Sequence, residues 1–226
     1  MGEITVVFDV NQTLSDLTPM AQTFADLGAP PDLWRLWFAC VLREGFALTA
    51  SGGFATFLEI GREQGAGMLG PYVEHPRTVV DRVLDSFSRL ELHPDVVPGV
   101  RALHDAGHQL VAFSNGGTSN AERLLERGGV RDAFSHVLSV DDARAWKPSH
   151  RAYAYAAHAA ATDLAACVMV AVHPWDTDGA KRAGMRAAWV DRDDERYPSY
   201  AMAPDWVIPG IDALAPALGK GYAVPR

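Results

Sequence analysis

The chain has 226 residues, 48% of them hydrophobic and 21% charged, which is typical of a globular protein able to bury a core. Its formal net charge of -8, with no long run of Lys or Arg, argues against a nucleic-acid-binding protein. No apolar run approaches the roughly 20 residues that cross a bilayer, and the sequence begins without a basic, cleavable leader, so we expect a soluble cytoplasmic protein that does not bind membranes. Cys40 and Cys167 lie far apart in apolar surroundings and are expected to be buried, reduced thiols.

The first predicted strand is the apolar run at residues 4–8, which ends at Asp9 and is followed by Asn11, Gln12 and Thr13. In open α/β sheets, ligands bind beyond the carboxyl ends of the parallel strands. Asp9 is therefore a candidate for chemistry, but an Asp at this point is equally typical of a helix N-cap. The stretch by itself does not distinguish the two.

Residues 15–91 show helical periodicity with no strand between the helices, and glycine- and proline-rich breaks divide them into four predicted helices. Their aromatic content exceeds what a plain crossover connection needs. We therefore predict a helical cap domain at 15–91, inserted after the first strand, and a core domain formed by residues 1–14 and 92–226.

Strands and helices alternate after residue 92. The predicted strands are 109–113, 137–140, 168–172, 186–190 and 205–208, and the predicted helices are 100–106, 120–126, 149–160 and 178–184, with a fraying terminal helix after 213. This alternation is typical of a doubly wound parallel sheet, so the predicted fold class is α/β.

Polar side chains follow four of the predicted strands. They are Asp9, Ser114, Asn115, Lys147, His173 and Asp176. Because the carboxyl ends of parallel strands meet at one edge of the sheet, we expect these side chains to form a single site.

Together these motifs resemble the haloacid dehalogenase superfamily, and in particular its type II 2-haloacid dehalogenase branch, over nearly the whole chain. The segments that carry the resemblance are Phe-Asp-x-x-x-Thr-Leu at 8–14, Phe-Ser-Asn-Gly at 113–116, Leu-Ser-Val-Asp at 138–141 with Lys-Pro at 147–148, and Trp-Asp at 175–176. Leu-Trp-Arg at 33–35 resembles the part of the family's cap in which the Arg faces the substrate. The resemblance implies a Rossmann-like core with a cap, and an aspartate nucleophile.

The chemistry of the residues fits these implied roles. Asp9 can attack carbon or phosphorus and form an ester, which divides one difficult displacement into two easier steps. Lys147 would place a positive charge beside Asp9, although a loop lysine is more often solvated. Thr13 and Ser114 can donate hydrogen bonds to the Asp9 carboxylate, cap the following helices, or do both.

The remaining candidates concern the hydrolytic water and the substrate. Asp176, with or without His173, would activate the water that cleaves the ester, although His173 could equally be a structural hydrogen bonder. Asn115 can donate to a leaving anion or to a substrate carboxylate. Arg35 could bind a carboxylate or a halide, or be a solvated charge. Tyr153 matches a family tyrosine that could orient the substrate, or it packs within its helix.

Most members of the superfamily are magnesium-dependent phosphatases or phosphomutases. They carry one Asp two residues after the nucleophile and another four residues before the position of Asp176. Here these positions are Asn11 and Val172. Because Mg²⁺ is usually bound through at least one or two carboxylates, we predict no metal and no other cofactor, and keep Asn11 as a candidate substrate-binding residue.

The predicted function is metal-independent hydrolysis of a small 2-haloalkanoic acid to a 2-hydroxy acid through an Asp9 ester. Three departures from the dehalogenase pattern leave the substrate open: Asn11 replaces a Tyr, Gln12 a Gly, and Ala-Val-His at 171–173 a Ser-Ser-Asn. The alternatives are a phosphatase with a relaxed metal site, a hydrolase of another small carboxylic acid with an electrophilic carbon, and a catalytically silent binding module. The expected partner is a small carboxylate; a homodimer through the apolar cap helices is a further expectation.

Overall fold

A computed structural model describes residues 4–219 of the chain. Within this range a sheet of six parallel strands has the order β3-β2-β1-β4-β5-β6. The strands are β1 (Thr5–Phe8), β2 (Gln109–Ser114), β3 (His136–Ser139), β4 (Cys167–Ala171), β5 (Arg186–Val190) and β6 (Trp206–Ile208). The predicted α/β fold with a doubly wound parallel sheet is therefore confirmed. Residues 1–3 and 220–226 of the predicted core lie outside the described residues.

Four helices separate β1 from the next strand, in the segment predicted to form the cap. They are α1 (Met20–Asp26), α2 (Leu33–Ala50), α3 (Phe57–Leu69) and α4 (Pro76–Phe87). The later helices are α5 (Val96–Asp105), α6 (Thr118–Arg127), α7 (Val140–Ala143), α8 (His150–Ala159), α9 (Pro174–Ala183) and α10 (Leu214–Gly219). Over residues 4–219, no helix has the length and apolar character needed to cross a bilayer. The division into a core domain and a cap domain stays a prediction.

Several element boundaries differ from the sequence-based prediction, and three of the differences have local reasons. Helix α5 begins at Val96, before Pro98. Pro98 is tolerated there because N–H groups in the first turn of a helix make no hydrogen bond within the helix. Helix α9 begins at Pro174 for the same reason. Val140 belongs to α7 rather than to β3, because the Ser139 hydroxyl accepts from the backbone N–H of Asp141 and caps a short helix there.

The core lies on both faces of the sheet, because successive side chains of a strand point to opposite faces. Val7 packs with side chains of α1–α4, α8 and α9, whereas Val6 and Phe8 pack with side chains of α5, α6 and α10. All four residues of β1 are buried, as expected for a central parallel strand.

The central position of β1 places Asp9 at the crevice of the sheet. Phe8 pairs with Ala112 of β2 on one side and with Val170 of β4 on the other, and the backbone N–H of Asp9 donates to the Val170 carbonyl at 3.0 Å. The strand order reverses between β1 and β4, which is where ligands bind in such sheets. Asp9 is thus held at the expected binding edge.

Candidate active site

Lys147 joins the two carboxylates at this edge. Its Nζ donates to Asp9 Oδ1 at 2.9 Å, to Asp176 Oδ2 at 2.7 Å and to the carbonyl oxygen of Phe113 at 3.0 Å, and its side chain is fully buried. Burial by itself would lower the pKa of Lys147, but the charges of Asp176 and Asp9 outweigh it, so the pKa is raised. The lysine therefore supplies a fixed positive charge beside Asp9.

Thr13 binds the other oxygen of Asp9. Its hydroxyl donates to Asp9 Oδ2 at 2.7 Å and accepts from the backbone N–H of Val172 at 3.1 Å, so its proton is directed at the carboxylate. The second candidate hydroxyl, that of Ser114, accepts from the backbone N–H of Gly116 at 2.8 Å. Within residues 4–219 it makes no hydrogen bond to Asp9. Its role in the reaction stays a prediction.

Asp176 lies behind Lys147 and is held by Tyr153. The Tyr153 hydroxyl donates to Asp176 Oδ1 at 2.7 Å, and both side chains are fully buried. Burial raises the pKa of Asp176 against the opposing effect of Lys147. Burial and the neighbouring carboxylate also raise the pKa of Tyr153 well above its ordinary value, so the phenol stays a donor. Tyr153 thus orients Asp176, and direct contact with a substrate stays a prediction.

Asn115 fixes the main chain of Lys147. Its Oδ1 accepts from the backbone N–H of Lys147 at 2.9 Å, and its Nδ2 faces the carbonyl oxygen of the same residue at 3.3 Å. Both ends of the amide are therefore used in the structure. This arrangement explains why an Asn follows β2, and the proposed contact with a leaving anion stays a prediction.

His173 lies near Oδ2 of Asp9, the carboxylate oxygen that Lys147 does not bind. Its Nε2 lies 3.2 Å from the carbonyl oxygen of Asn11 and 3.8 Å from Asp9 Oδ2. Because a carbonyl oxygen only accepts, Nε2 carries a hydrogen in this bond. The ring is stacked on Trp175 with centroids 5.0 Å apart, and on Phe38 at 6.3 Å. Among residues 4–219, no side chain or backbone group hydrogen-bonds Nδ1, so that atom is an unused hydrogen-bond acceptor.

A cleft of about 390 Å³ adjoins this histidine. Its lining includes Gln12, Val172 and His173 from the loops after β1 and β4, His93 from the segment between α4 and α5, and Arg35 from α2. The Arg35 side chain is 64% exposed at the rim, so the structure brings it to the cleft but not to Asp9. Asp9 itself is 3% exposed. His173 both lines this cleft and lies 3.8 Å from Asp9 Oδ2.

Arg35 and Asn11, the two other candidate substrate-binding residues, contact protein groups in the structure. The guanidinium of Arg35 lies over the Trp34 ring at 4.7 Å and 3.8 Å from Asp32. Asn11 contacts His173 through its backbone carbonyl, while its side chain lines a separate cavity of about 20 Å³ beside Ser114. Substrate contact by either residue stays a prediction.

Arg192 is a supporting residue that the sequence motifs did not identify. Its Nη2 donates to the carbonyl oxygen of Thr13 at 3.0 Å and to Asp95 Oδ2 at 2.7 Å, which fixes the turn after Asp9. It follows β5 by two residues, so the strand-end rule could have found it. The acidic residues around Arg192 are more typical of a solvated loop, so the sequence gives little indication that Arg192 belongs to the site.

The residues at this edge do not fit a magnesium ion. Mg²⁺ requires octahedral oxygen ligands at about 2.0–2.1 Å, usually with one or two carboxylates. In residues 4–219, no group of three or more His, Cys, Asp and Glu side chains is arranged to hold a metal. The carboxylate oxygens of Asp176 already accept from Lys147 and Tyr153, and position 172 is a Val.

Comparisons with known proteins agree with the resemblance seen in the motifs. A family model described as haloacid dehalogenase-like hydrolase matches residues 5–184. Haloacetate dehalogenase H-2 of Moraxella sp. (strain B) is 33% identical over 133 residues, which are 59% of this chain and 59% of that protein. (S)-2-Haloacid dehalogenase of Pseudomonas sp. (strain YL) is 31% identical over 130 residues, 58% of this chain and 56% of that protein. The matches thus span less than two thirds of either relative.

A solved structure matches over almost the full length. It is L-2-haloacid dehalogenase from Xanthobacter autotrophicus with chloropropionic acid covalently bound, and it is 26% identical to this chain. The TM-score is 0.87, and the match covers 98% of this chain and 100% of that chain.

Proposed function

Since the chain belongs to the haloacid dehalogenase-like hydrolases, we propose that it removes halide from a small 2-haloalkanoic acid through an ester of Asp9, without a metal ion. The observation that carries the proposal is the arrangement of Asp9. One carboxylate oxygen is bound by buried Lys147 and the other by Thr13, in a site whose donor set does not fit Mg²⁺. Covalent binding of chloropropionic acid in the Xanthobacter relative supports the same type of intermediate.

The first step is displacement at carbon. A carboxylate oxygen of Asp9 attacks C2 of the substrate from the side opposite the halogen, the carbon–halogen bond breaks, and its electron pair leaves with the halide. C2 is inverted and becomes esterified to Asp9. Lys147 keeps a cation beside the attacking carboxylate, and a Coulomb interaction of this kind is strengthened by the exclusion of water.

The second step is hydrolysis of the ester. Water adds to the carboxyl carbon of Asp9, and the 2-hydroxy acid leaves with an oxygen that came from Asp9. His173 is the candidate acceptor for the water proton, because it lines the cleft, lies 3.8 Å from Asp9 Oδ2, and has an Nδ1 that is not hydrogen-bonded within residues 4–219. Asp176 is less well placed as a base, since Lys147 and Tyr153 bind its two oxygens.

The cleft provides for a small anionic substrate. Its volume of about 390 Å³ suits an acid of a few carbons, and Arg35 at its rim can bind a carboxylate through paired N–H donors. A small carboxylate is therefore the proposed partner, and the homodimer stays a prediction.

The decisive test is halide release from 2-chloropropionate and chloroacetate in the presence of EDTA. We expect release in EDTA and no turnover of p-nitrophenyl phosphate with Mg²⁺. Asp9→Asn should abolish release while circular dichroism shows an intact fold, and Asp26→Asn, an exposed substitution on α1, should leave it unchanged. Magnesium-dependent phosphate release, or activity retained by Asp9→Asn, would contradict the proposal.

Covalency is tested by a single turnover in ¹⁸O-water with enzyme in excess. The first product molecule should carry ¹⁶O at C2, and the label should appear in Asp9. Direct attack of water would instead place ¹⁸O in the first product.

A further inference from the structure

We propose that His173 takes the place of a divalent cation beside Asp9: it donates a hydrogen bond where a metal would bind, and it keeps the metal out. This inference rests on the proposed metal-free reaction and assigns that property to one side chain. The relevant oxygens are Asp9 Oδ2 and the carbonyl oxygen of Asn11, which lie 3.8 Å and 3.2 Å from Nε2.

The geometry explains the exclusion. A magnesium ion held by these two oxygens would need four more ligands or waters at about 2.0–2.1 Å around it. The imidazole lies beside the same oxygens: Nε2 donates its hydrogen to the carbonyl oxygen of Asn11 and lies 3.8 Å from Asp9 Oδ2. The other side of Asp9 is occupied by the ammonium of Lys147. Each oxygen of Asp9 thus accepts from a donor of the protein, Oδ1 from Lys147 and Oδ2 from the Thr13 hydroxyl, and His173 lies on the Oδ2 side.

Aromatic contacts and the backbone position hold the histidine beside these oxygens. Its ring is nearly parallel to Trp175, at 17°, and also stacks on Phe38 of α2 at 28°. It is the N-cap residue of α9, and the following Pro174 occupies the first position of that helix. The ring therefore packs against two aromatic side chains and has a hydrogen bond at Nε2.

Position 172 tests this inference, because Val172 lies at the end of β4 beside Thr13 and could be replaced by a carboxylate. Val172→Asp would add a hard oxygen ligand while His173 remains. We expect wild type and Val172→Asp to bind Mn²⁺ equally weakly. Val172→Asp/His173→Ala should bind about 10-fold more tightly or better, the scale on which groups around a metal site change its affinity.

The probe is Mn²⁺, and its free concentration is followed by electron paramagnetic resonance on substrate-free protein. A matched control exists in His93, which also lines the cleft and has its Nε2 3.1 Å from a carbonyl oxygen, that of Gln12. Val172→Asp/His93→Ala should not gain affinity. Adding Asp9→Asn to Val172→Asp/His173→Ala should abolish the gain.

Three outcomes would overturn the inference: tight binding by wild type or by Val172→Asp, an equal gain in the His93 control, or no gain in a folded Val172→Asp/His173→Ala. If that variant does not fold by circular dichroism, Val172→Asp/His173→Asn is measured in its place and read in the same way. The measurement contains no substrate, so a failure of metal exclusion is separate from a failure to release halide.

Discussion

The shared cation of the active site allows one quantitative prediction about stability. Lys147→Met removes the charge, keeps a similar side-chain length, and leaves Asp9 and Asp176 buried without the ammonium that lies 2.9 and 2.7 Å from them. Removing one partner of a buried ion pair costs about 3–5 kcal/mol. Because two carboxylates lose the same cation, we expect a loss of about 5 kcal/mol at neutral pH. For a protein of this size, that lowers Tm by about 10–20 °C.

The loss should depend on pH with a defined sign. Burial raises the pKa of Asp176 in the folded protein and Lys147 opposes it, so without the lysine this pKa should rise further. A carboxyl whose pKa is raised by folding binds its proton more tightly in the folded protein. Stability therefore falls as the pH rises from the unfolded-state pKa of the carboxyl through its folded-state pKa. The deficit of Lys147→Met should therefore be smaller at about pH 4 than at about pH 7.

Calorimetric melting of both proteins at the two pH values checks this reasoning. Arg77→Met is a suitable control, since it breaks an exposed ion pair with Glu63 whose side chains are 75% and 60% exposed, and it should cost less than about 1 kcal/mol. A neutral-pH loss no larger than that of the control, or a larger deficit at acid pH, would refute the role of Lys147 as the shared cation.

Two further substitutions test the groups behind the carboxylates. Tyr153→Phe removes the donor to Asp176 and should lower the free energy of unfolding by about 1–3 kcal/mol. The kcat for halide release should fall with little change in KM. A large rise in KM would instead favour direct contact between Tyr153 and the substrate. Gly179→Ala places a Cβ 2.4 Å from the Pro148 Cβ and 2.7 Å from the Tyr153 hydroxyl oxygen, so both stability and halide release should drop. Gly67→Ala, whose Cβ meets nothing within 4 Å in α3, should be neutral or stabilising by up to about 1 kcal/mol, and an equal loss there would remove the packing explanation.

The sheet and the position of the site could be predicted because both depend on short-range patterns. Apolar runs that stop at polar residues identify strands, and parallel strands share one binding edge, so Asp9 and Asp176 could be placed together from their positions after strands. Lys147 lies eight residues beyond β3, and its place beside them was implied by the resemblance to the dehalogenase motifs. Helix boundaries were harder to predict. The predicted helices at 100–106 and 178–184 begin four residues too late, because Pro98 and Pro174 lie within the first turn of α5 and α9.

The hydrogen-bond partners within the site could not be predicted, since they depend on rotamers and on residues distant in sequence. Ser114 and Thr13 are equivalent as sequence candidates for binding Asp9, yet the backbone N–H of Gly116 engages one hydroxyl and that of Val172 directs the other. Likewise, nothing in the sequence shows that Arg192 binds the Thr13 carbonyl, 179 residues away along the chain.

The polar side chains of the site fall into two groups, those that hold the buried charges and those that line the cleft, and this difference bears on substrate specificity. Asn115 and Tyr153 resemble substrate ligands in sequence, but in the structure they hold Lys147 and Asp176. We therefore expect recognition to involve groups that line the cleft, among them Gln12, His173 and Arg35. Gln12 and His173 are positions at which the chain departs from the dehalogenase motifs. The charged centre can thus remain unchanged while the cleft around it varies. Substitutions at Gln12 or Arg35 should alter KM across a series of haloacids far more than kcat, and the reverse result would place recognition back in the buried centre.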